Sequence, residues 1–136
     1  MPDYTICLNM IVKNESHIIE KTLNNIVDNI KIDYWVICDT GSTDNTKEII
    51  QKFFDKKSIN GELYCDEWRD FGYNRTRALE YAYNKTDYLL IFDADDKIHG
   101  KINLPSELKD QNNIRFGSLQ FSYYRNVLIN NRKRWK

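Results

Sequence analysis

Tyr88-Leu89-Leu90-Ile91-Phe92-Asp93-Ala94-Asp95-Asp96 sets an apolar run directly before three carboxylates gathered within four residues. A short apolar run bounded by a polar cluster reads as a strand of a parallel sheet, buried on both faces. Acids collected at its end repel one another, which costs stability unless a hard divalent cation such as Mg²⁺ or Mn²⁺ takes up their oxygens. Two donors from an Asp-x-Asp leave most of the coordination sphere to water and a diphosphate. The stretch therefore reads as the floor of a nucleotide site, and the plain alternative is an acidic, solvated turn without a ligand.

Working back from this strand, the chain alternates strand and helix with short joints. Tyr4 to Val12 is apolar without a helical stripe. From Ser16 to about Asn29, Ile18, Ile19, Leu23, Ile26 and Val27 recur at helical spacing, with Ile30 just beyond. Tyr34 to Cys38 is a second strand and Thr46 to Phe54 a second helix with Ile49, Ile50, Phe53 and Phe54 inward. Leu63 to Cys65 is a short third strand, and Phe71 to Asn84 a third helix with Leu79, Ala82 and Tyr83 among its apolar positions. Tyr88 to Phe92 is the fourth strand.

Such alternation predicts an α/β fold, a mostly parallel central sheet with helices on both faces. Ligands of these sheets sit beyond the carboxyl ends of the strands. The polar clusters fall on that edge: Lys13-Asn14-Glu15, Asp39 to Asp44, Asp66-Glu67 and Asp93 to Asp96. Farther on, Pro105-Ser106-Glu107-Leu108 can start a short helix. Arg115 to Asn126 reads as a strand, and Val127 to Ile129 before Asn130-Asn131 predicts a C-terminal hairpin whose second arm is Arg132 to Lys136. Arg132 to Lys136 reads better as a solvated strand end than as a phosphate-binding basic patch.

At 136 residues the chain is expected to be a single domain. Its 20 basic and 20 acidic residues cancel, so no whole-molecule field gathers nucleic acid or anionic lipid, and any anion must be bound locally. No apolar run approaches the length of a membrane span, and no signal peptide is visible. Cys7, Cys38 and Cys65 are odd in number and lack Cys-x-x-Cys spacing, which argues against a disulfide framework or zinc knuckle and for core or near-core packing in a reducing compartment. Asn14, Asn74 and Asn84 open Asn-x-Ser/Thr triplets, and glycans at the first two would block the expected pocket. A cytoplasmic setting follows.

Asp39-Thr40-Gly41-Ser42 follows a strand and precedes a helix, so its amides and the helix N-terminus face the same edge as the aspartates. Asp39 can accept a hydrogen bond from a ring N–H of a base such as uracil, with Gly41 letting the backbone come close. The plain reading is a strand-to-helix turn capped by Ser42, Thr43 or Asp44. Near the start of the third helix, Arg75 or Arg77 can bind phosphate or stack beneath a base, or be solvated. His17 and His99 are the two histidines, and His99 near the aspartates reads as a surface residue before a metal ligand.

Taken together, Met10-Ile11-Val12-Lys13-Asn14-Glu15, Asp39-Thr40-Gly41-Ser42-Thr43-Asp44, Asn74-Arg75-Thr76-Arg77-Ala78-Leu79 and Asp93-Ala94-Asp95-Asp96 resemble the nucleotide-sugar half of a family 2 glycosyltransferase with the GT-A fold. The resemblance spans residues 4 to about 98. It implies a Rossmann-like nucleotide-sugar-binding domain, a nucleoside diphosphate sugar donor (UDP by family habit), Mn²⁺ or Mg²⁺, and inverting transfer of a hexose-type sugar to an acceptor hydroxyl. Carried over by position, Val12, Asn14, Glu15 and Asp39 with Gly41 contact the nucleoside, and Arg75 faces the base or diphosphate. Asp93 then lies toward the ribose or metal, Ala94 beside it, and Asp95 on the metal. Thr40 departs from the usual Asp-Asp-Gly-Ser and removes one carboxylate. The family's acceptor-side half, with its catalytic Asp or Glu, normally follows the hairpin, so the chain is expected to be truncated, with its base beyond Lys136 and little transfer of its own.

Two alternatives stand beside this reading. A haloacid dehalogenase-type phosphotransferase also uses an Asp-x-Asp with Mg²⁺, but there the motif closes the first strand and is usually followed by Thr or Val where Lys97 stands here. A non-catalytic nucleotide-binding module would keep the fold without turnover.

Overall fold

The computed structural model describes residues 4–94, 111–117 and 122–132, with side chains for 4–94 and 128–132. Its elements run β1 (Ile6–Val12), α1 (Ile19–Asn29), β2 (Tyr34–Asp39), α2 (Thr46–Lys57), β3 (Gly61–Cys65), α3 (Phe71–Ala82), β4 (Tyr88–Ile91), β5 (Gln111–Gly117) and β6 (Ser122–Asn130). They form a six-stranded sheet in the order β3-β2-β1-β4-β6-β5. The first four are parallel, and β6 runs antiparallel to both β4 and β5. The predicted α/β class with its parallel centre and C-terminal strand pair is what forms.

The period of two along β1 divides the core. Ile6, Leu8, Met10 and Val12 point to one face and pack with Ile19, Leu23 and Ile26 of α1 and Ile50, Phe53 and Phe54 of α2. Cys7 points to the other face with Val36, Leu89 and Ala82 of α3. Helices therefore cover both faces, as parallel strands buried on each side require. On the first face Trp35 stacks on Phe54 at 4.5 Å, and its Nε1 donates to Ile59 O at 3.0 Å. Gly61 on the neighbouring strand leaves room for this ring, since a Cβ there would stand 2.2 Å from it.

Three expectations need correction. Helix α1 opens at Ile19 and not at Ser16, because the Ser16 amide donates to Asp44 Oδ2 at 3.2 Å and draws that turn into the β2–α2 loop. Cys65 is exposed, unlike the buried Cys7 and Cys38, because β3 is the edge of the sheet. Arg115 to Asn126 is not one strand: β5 ends at Gly117 and β6 begins at Ser122, which pair with one another, while Asn131 and Arg132 form a turn whose expected second arm lies mostly outside the described residues. Running β6 through to Asn130 lays Leu128 and Ile129 against β4, where each is buried on a different face of the sheet. Asn131 then closes the end: its Nδ2 donates to Ala82 O at 2.6 Å, and its backbone amide to Asp87 O at 2.8 Å. Arg132 is held there too, its Nη2 3.0 Å from Asp87 Oδ1. The helix expected at Pro105 and most of the basic stretch, Lys133 to Lys136, lie outside the described residues. Among the described residues no helix is long and apolar enough to cross a membrane.

Candidate functional site

Registers align the strand ends along one edge. Val12 stands opposite Asp39 and Asp39 opposite Cys65, while Asn9 opposite Ile91 puts Asp93 two residues past the end of β4 on the same side. The Phe92 amide still donates to Asn9 O at 3.2 Å, so the chain leaves the sheet only at Asp93. Thr22 of α1 then catches Ala94, its hydroxyl donating to Ala94 O at 2.5 Å. Ala94 is itself buried in the core. An alanine between aspartates thus anchors the loop while its neighbour Asp93 stays partly exposed.

Asp39 is the most telling residue on this edge. Its side chain turns back so that Oδ1 accepts from the amides of Gly41 at 2.9 Å and Ser42 at 2.7 Å. Gly41 makes that turn at φ 115°, in the region glycine tolerates, and a Cβ on it would meet no protein atom within 4 Å. The glycine therefore serves the backbone conformation of the turn. Asp39 is 1% exposed, yet among the described residues its Oδ2 has no hydrogen-bond partner. A buried carboxylate oxygen without a donor carries an unrecovered desolvation cost, of the kind a ligand N–H can relieve.

The residues of the first strand end serve the loops. Asn14, at φ 52°, accepts through Oδ1 from the Thr43 amide at 2.8 Å and gives its own amide to Ser42 Oγ at 2.8 Å. The Glu15 amide donates to Thr46 Oγ1 at 2.9 Å. Val12 O accepts from both the amide and the hydroxyl of Thr40, at 3.0 and 3.2 Å. Thr40, in place of a second aspartate, is thus folded back and buried. Asp44 braces the start of α2 by accepting from the Thr46 hydroxyl and amide, and the hydroxyl bond chiefly holds its carboxyl well below the usual carboxylate range. Among the candidate caps of this helix, Asp44 is the one whose side chain reaches its first residue.

Arg75 reaches the edge from α3. This helix is capped by Asp70, which accepts from the Tyr73 amide at 2.7 Å. Asn74, buried, takes the Arg69 amide on Oδ1 at 2.9 Å and donates to Glu67 O at 3.1 Å, fixing the loop from β3. Arg75 Nη2 lies 3.6 Å from Asp93 Oδ1, and Nη1 donates to Asn9 Oδ1 at 3.0 Å. Arg77 is committed elsewhere, to Glu80 at 3.6 Å, to the Tyr81 hydroxyl and to Asp66 at 3.9 Å. The structure therefore brings Asp39, Gly41, Arg75 and Asp93 to one edge, with Asn14 and Glu15 shaping it. Asp95 and His99 lie outside the described residues, and His17 is exposed. Among the described residues no cluster of three metal-ligating side chains forms; Asp93 contributes one hard oxygen donor there. Sequence reading missed Asn9, whose only signal was a polar residue inside a buried run.

Comparison with known proteins gives the frame for this edge. The family model described as Glycosyl transferase family 2 matches residues 7–135. The SPbeta prophage-derived glycosyltransferase SunS of Bacillus subtilis (strain 168) is 34% identical over 93 residues, which are 68% of this chain and 20% of that protein. Among solved structures, the mannosyltransferase PcManGT from Pyrobaculum calidifontis, in complex with GDP-Man and Mn²⁺, superposes with a TM-score of 0.60 at 24% identity. It covers 71% of this chain, which spans 30% of it. S. aureus TarS 1-349 with UDP-GlcNAc gives a TM-score of 0.57 at 22% identity over 68% of this chain and 27% of its own. These likenesses support the fold, and the chain spans about a fifth of the length of the curated relatives it matches.

Proposed function

The chain belongs to glycosyl transferase family 2, and on that footing we propose that it forms the donor site of an enzyme moving a sugar from a nucleoside diphosphate sugar to an acceptor hydroxyl. The observation that carries this reading is the unpartnered Oδ2 of buried Asp39, on the edge where Arg75 and Asp93 meet. Asp39 Oδ2 would accept the N3–H of uracil. One oxygen is spent on the Gly41 and Ser42 amides and one remains. Uracil offers a single N–H between two carbonyls and suits that count, whereas guanine presents adjacent N1–H and N2–H₂ donors that call on two acceptors. A uridine diphosphate sugar is therefore the preferred donor. The neighbours' GDP-Man and UDP-GlcNAc are consistent with a nucleotide sugar as the ligand class.

Asp93 has the right chemistry for Mg²⁺ or Mn²⁺, a partly exposed carboxylate at a strand end, with Asp95 as its companion in the motif. When bound, such an ion neutralises charge on the departing diphosphate. Arg75 adds a guanidinium beside the same carboxylate, suited to a pyrophosphate oxygen. The sugar carbon is then attacked in line by the acceptor hydroxyl, with inversion. We assign no catalytic base among the described residues: Asp39 is locked in its turn and Asp44 is bound to Thr46 and Ser16. Free thiols at all three cysteines support a cytoplasmic setting. A dehalogenase-type phosphotransferase finds no support in the family match.

Calorimetric titration of UDP, GDP and CDP with Mn²⁺ tests the reading. UDP should bind most tightly, and GDP binding better than UDP would overturn the base assignment. Against a non-catalytic module, an enzyme that contains this chain should hydrolyse UDP-sugar slowly without acceptor. Absence of hydrolysis and transfer over a panel of UDP-sugars and acceptors would favour the binding module.

A further inference from the structure

Asn9 puts an amide where β1 otherwise carries apolar side chains. Its neighbours Leu8 and Met10 are fully buried, and so is Asn9 itself. An amide withdrawn from water is tolerated only when its donors and its acceptor are both satisfied. Here Nδ2 donates to Val36 O on β2 and to Ala78 O on α3, each at 3.1 Å. Carbonyl oxygens accept and never donate, so these two bonds decide which end of the amide is which. Oδ1 must face away from them, and there it accepts from Arg75 Nη1 at 3.0 Å. The other terminal nitrogen of that guanidinium, Nη2, lies 3.6 Å from Asp93 Oδ1. Two neighbouring elements fix one amide, and the amide fixes the arginine.

We propose that Asn9 is a positioning residue of the donor site, a buried neutral acceptor that holds Arg75 over the end of β4 to meet a pyrophosphate. The inference rests on the donor-site reading given above. Charge explains the choice of residue. Leucine, of similar volume, would remove the neutral acceptor that Asn9 gives to Nη1. Aspartate would place a carboxylate against the guanidinium inside the protein and cancel much of the positive field that an anion meets. Asparagine alone among the three bonds to both carbonyls and still accepts without neutralising Arg75.

NMR titration of the full chain with UDP and, separately, with uridine, both in Mg²⁺, tests this. Uridine carries base and ribose but no pyrophosphate, so it reports on the Asp39 end and on intact folding. Asn9→Leu and Asn9→Asp should each weaken UDP binding about tenfold or more, the scale of a lost hydrogen bond to a charged group, and leave uridine affinity within about twofold. In an Arg75→Gln background, Asn9→Leu should cost no further UDP affinity, because the two residues act through one contact. Equal losses for UDP and uridine, unchanged UDP affinity, or additive losses in the double variant would each overturn the positioning role. Should Asn9→Leu fail to fold, the nearly isosteric Asn9→Asp and its Arg75→Gln double variant decide by the same comparison. Failure of the unmodified chain to bind UDP would instead overturn the donor-site reading, and this inference with it.

Discussion

Exchanging Asp39 for asparagine separates ligand binding from folding, because the two carboxylate oxygens have different duties. Oδ1 accepts two amides, at 2.9 and 2.7 Å, and the asparagine carbonyl can keep both. These bonds lose their charge assistance, at a cost of about 1 kcal/mol. Against that, the substitution replaces an unpartnered anionic oxygen in a residue only 1% exposed with a neutral, likewise unpartnered N–H₂, which lowers the burial cost by about 1 kcal/mol. The ligand-free protein should hold its stability to within about 1 kcal/mol. For UDP the balance is a loss. An N–H₂ would replace the acceptor facing the uracil N3–H, and the loss of a charged, buried hydrogen bond is about 1.5–3 kcal/mol, roughly 10- to 150-fold in affinity. Urea unfolding measures the first effect and calorimetric UDP titration the second. A variant that binds UDP as tightly as the parent, or that loses more than about 2 kcal/mol of stability, would refute the reasoning.

Gly61→Ala should destabilise the fold by about 1–3 kcal/mol, since a Cβ would stand 2.2 Å from the Trp35 ring, itself stacked on Phe54; a urea midpoint equal to the parent's would count against it. Asp87 is held low chiefly by the Thr5 amide, with its Nη2 partner Arg132 adding to it, so its stabilisation is present above the ordinary carboxylate value of 3.8 and is lost as pH falls below it. Asp87→Asn should flatten the acid limb of a melting-temperature profile, and an unchanged limb would contradict this. Asp93→Asn should remove most of the Mn²⁺-dependent part of UDP binding while leaving binding in EDTA nearly as it was; equal losses in both would deny Asp93 its cation.

Much of the fold was legible because each apolar run ends in a polar cluster, and those endings are the ligand edge. Strands β2 and β4 and helices α2 and α3 begin at the residues expected, since Thr46 follows an Asp-Asn pair and Phe71 follows the capping Asp70. What escaped depends on partners distant in the chain. That Asn14, expected at the nucleoside, also holds the amide of Thr43, 29 residues on, has no mark in the sequence. Asn9 reads as a flaw in a strand until Arg75 arrives from 66 residues away. Cys65 was expected near the core because a three-residue alternation does not reveal that its strand is the sheet's edge. The division into β5 and β6 was missed because Phe116, Leu119, Phe121 and Tyr123 read as one strand-like run.

A crystal structure of the chain with UDP and Mn²⁺ would show the donor site itself. Asp39 Oδ2 should lie within hydrogen-bonding distance of uracil N3, with the pyrophosphate between Arg75 and Asp93. A uracil ring bound away from Asp39, or a pyrophosphate that touches neither side chain, would contradict it.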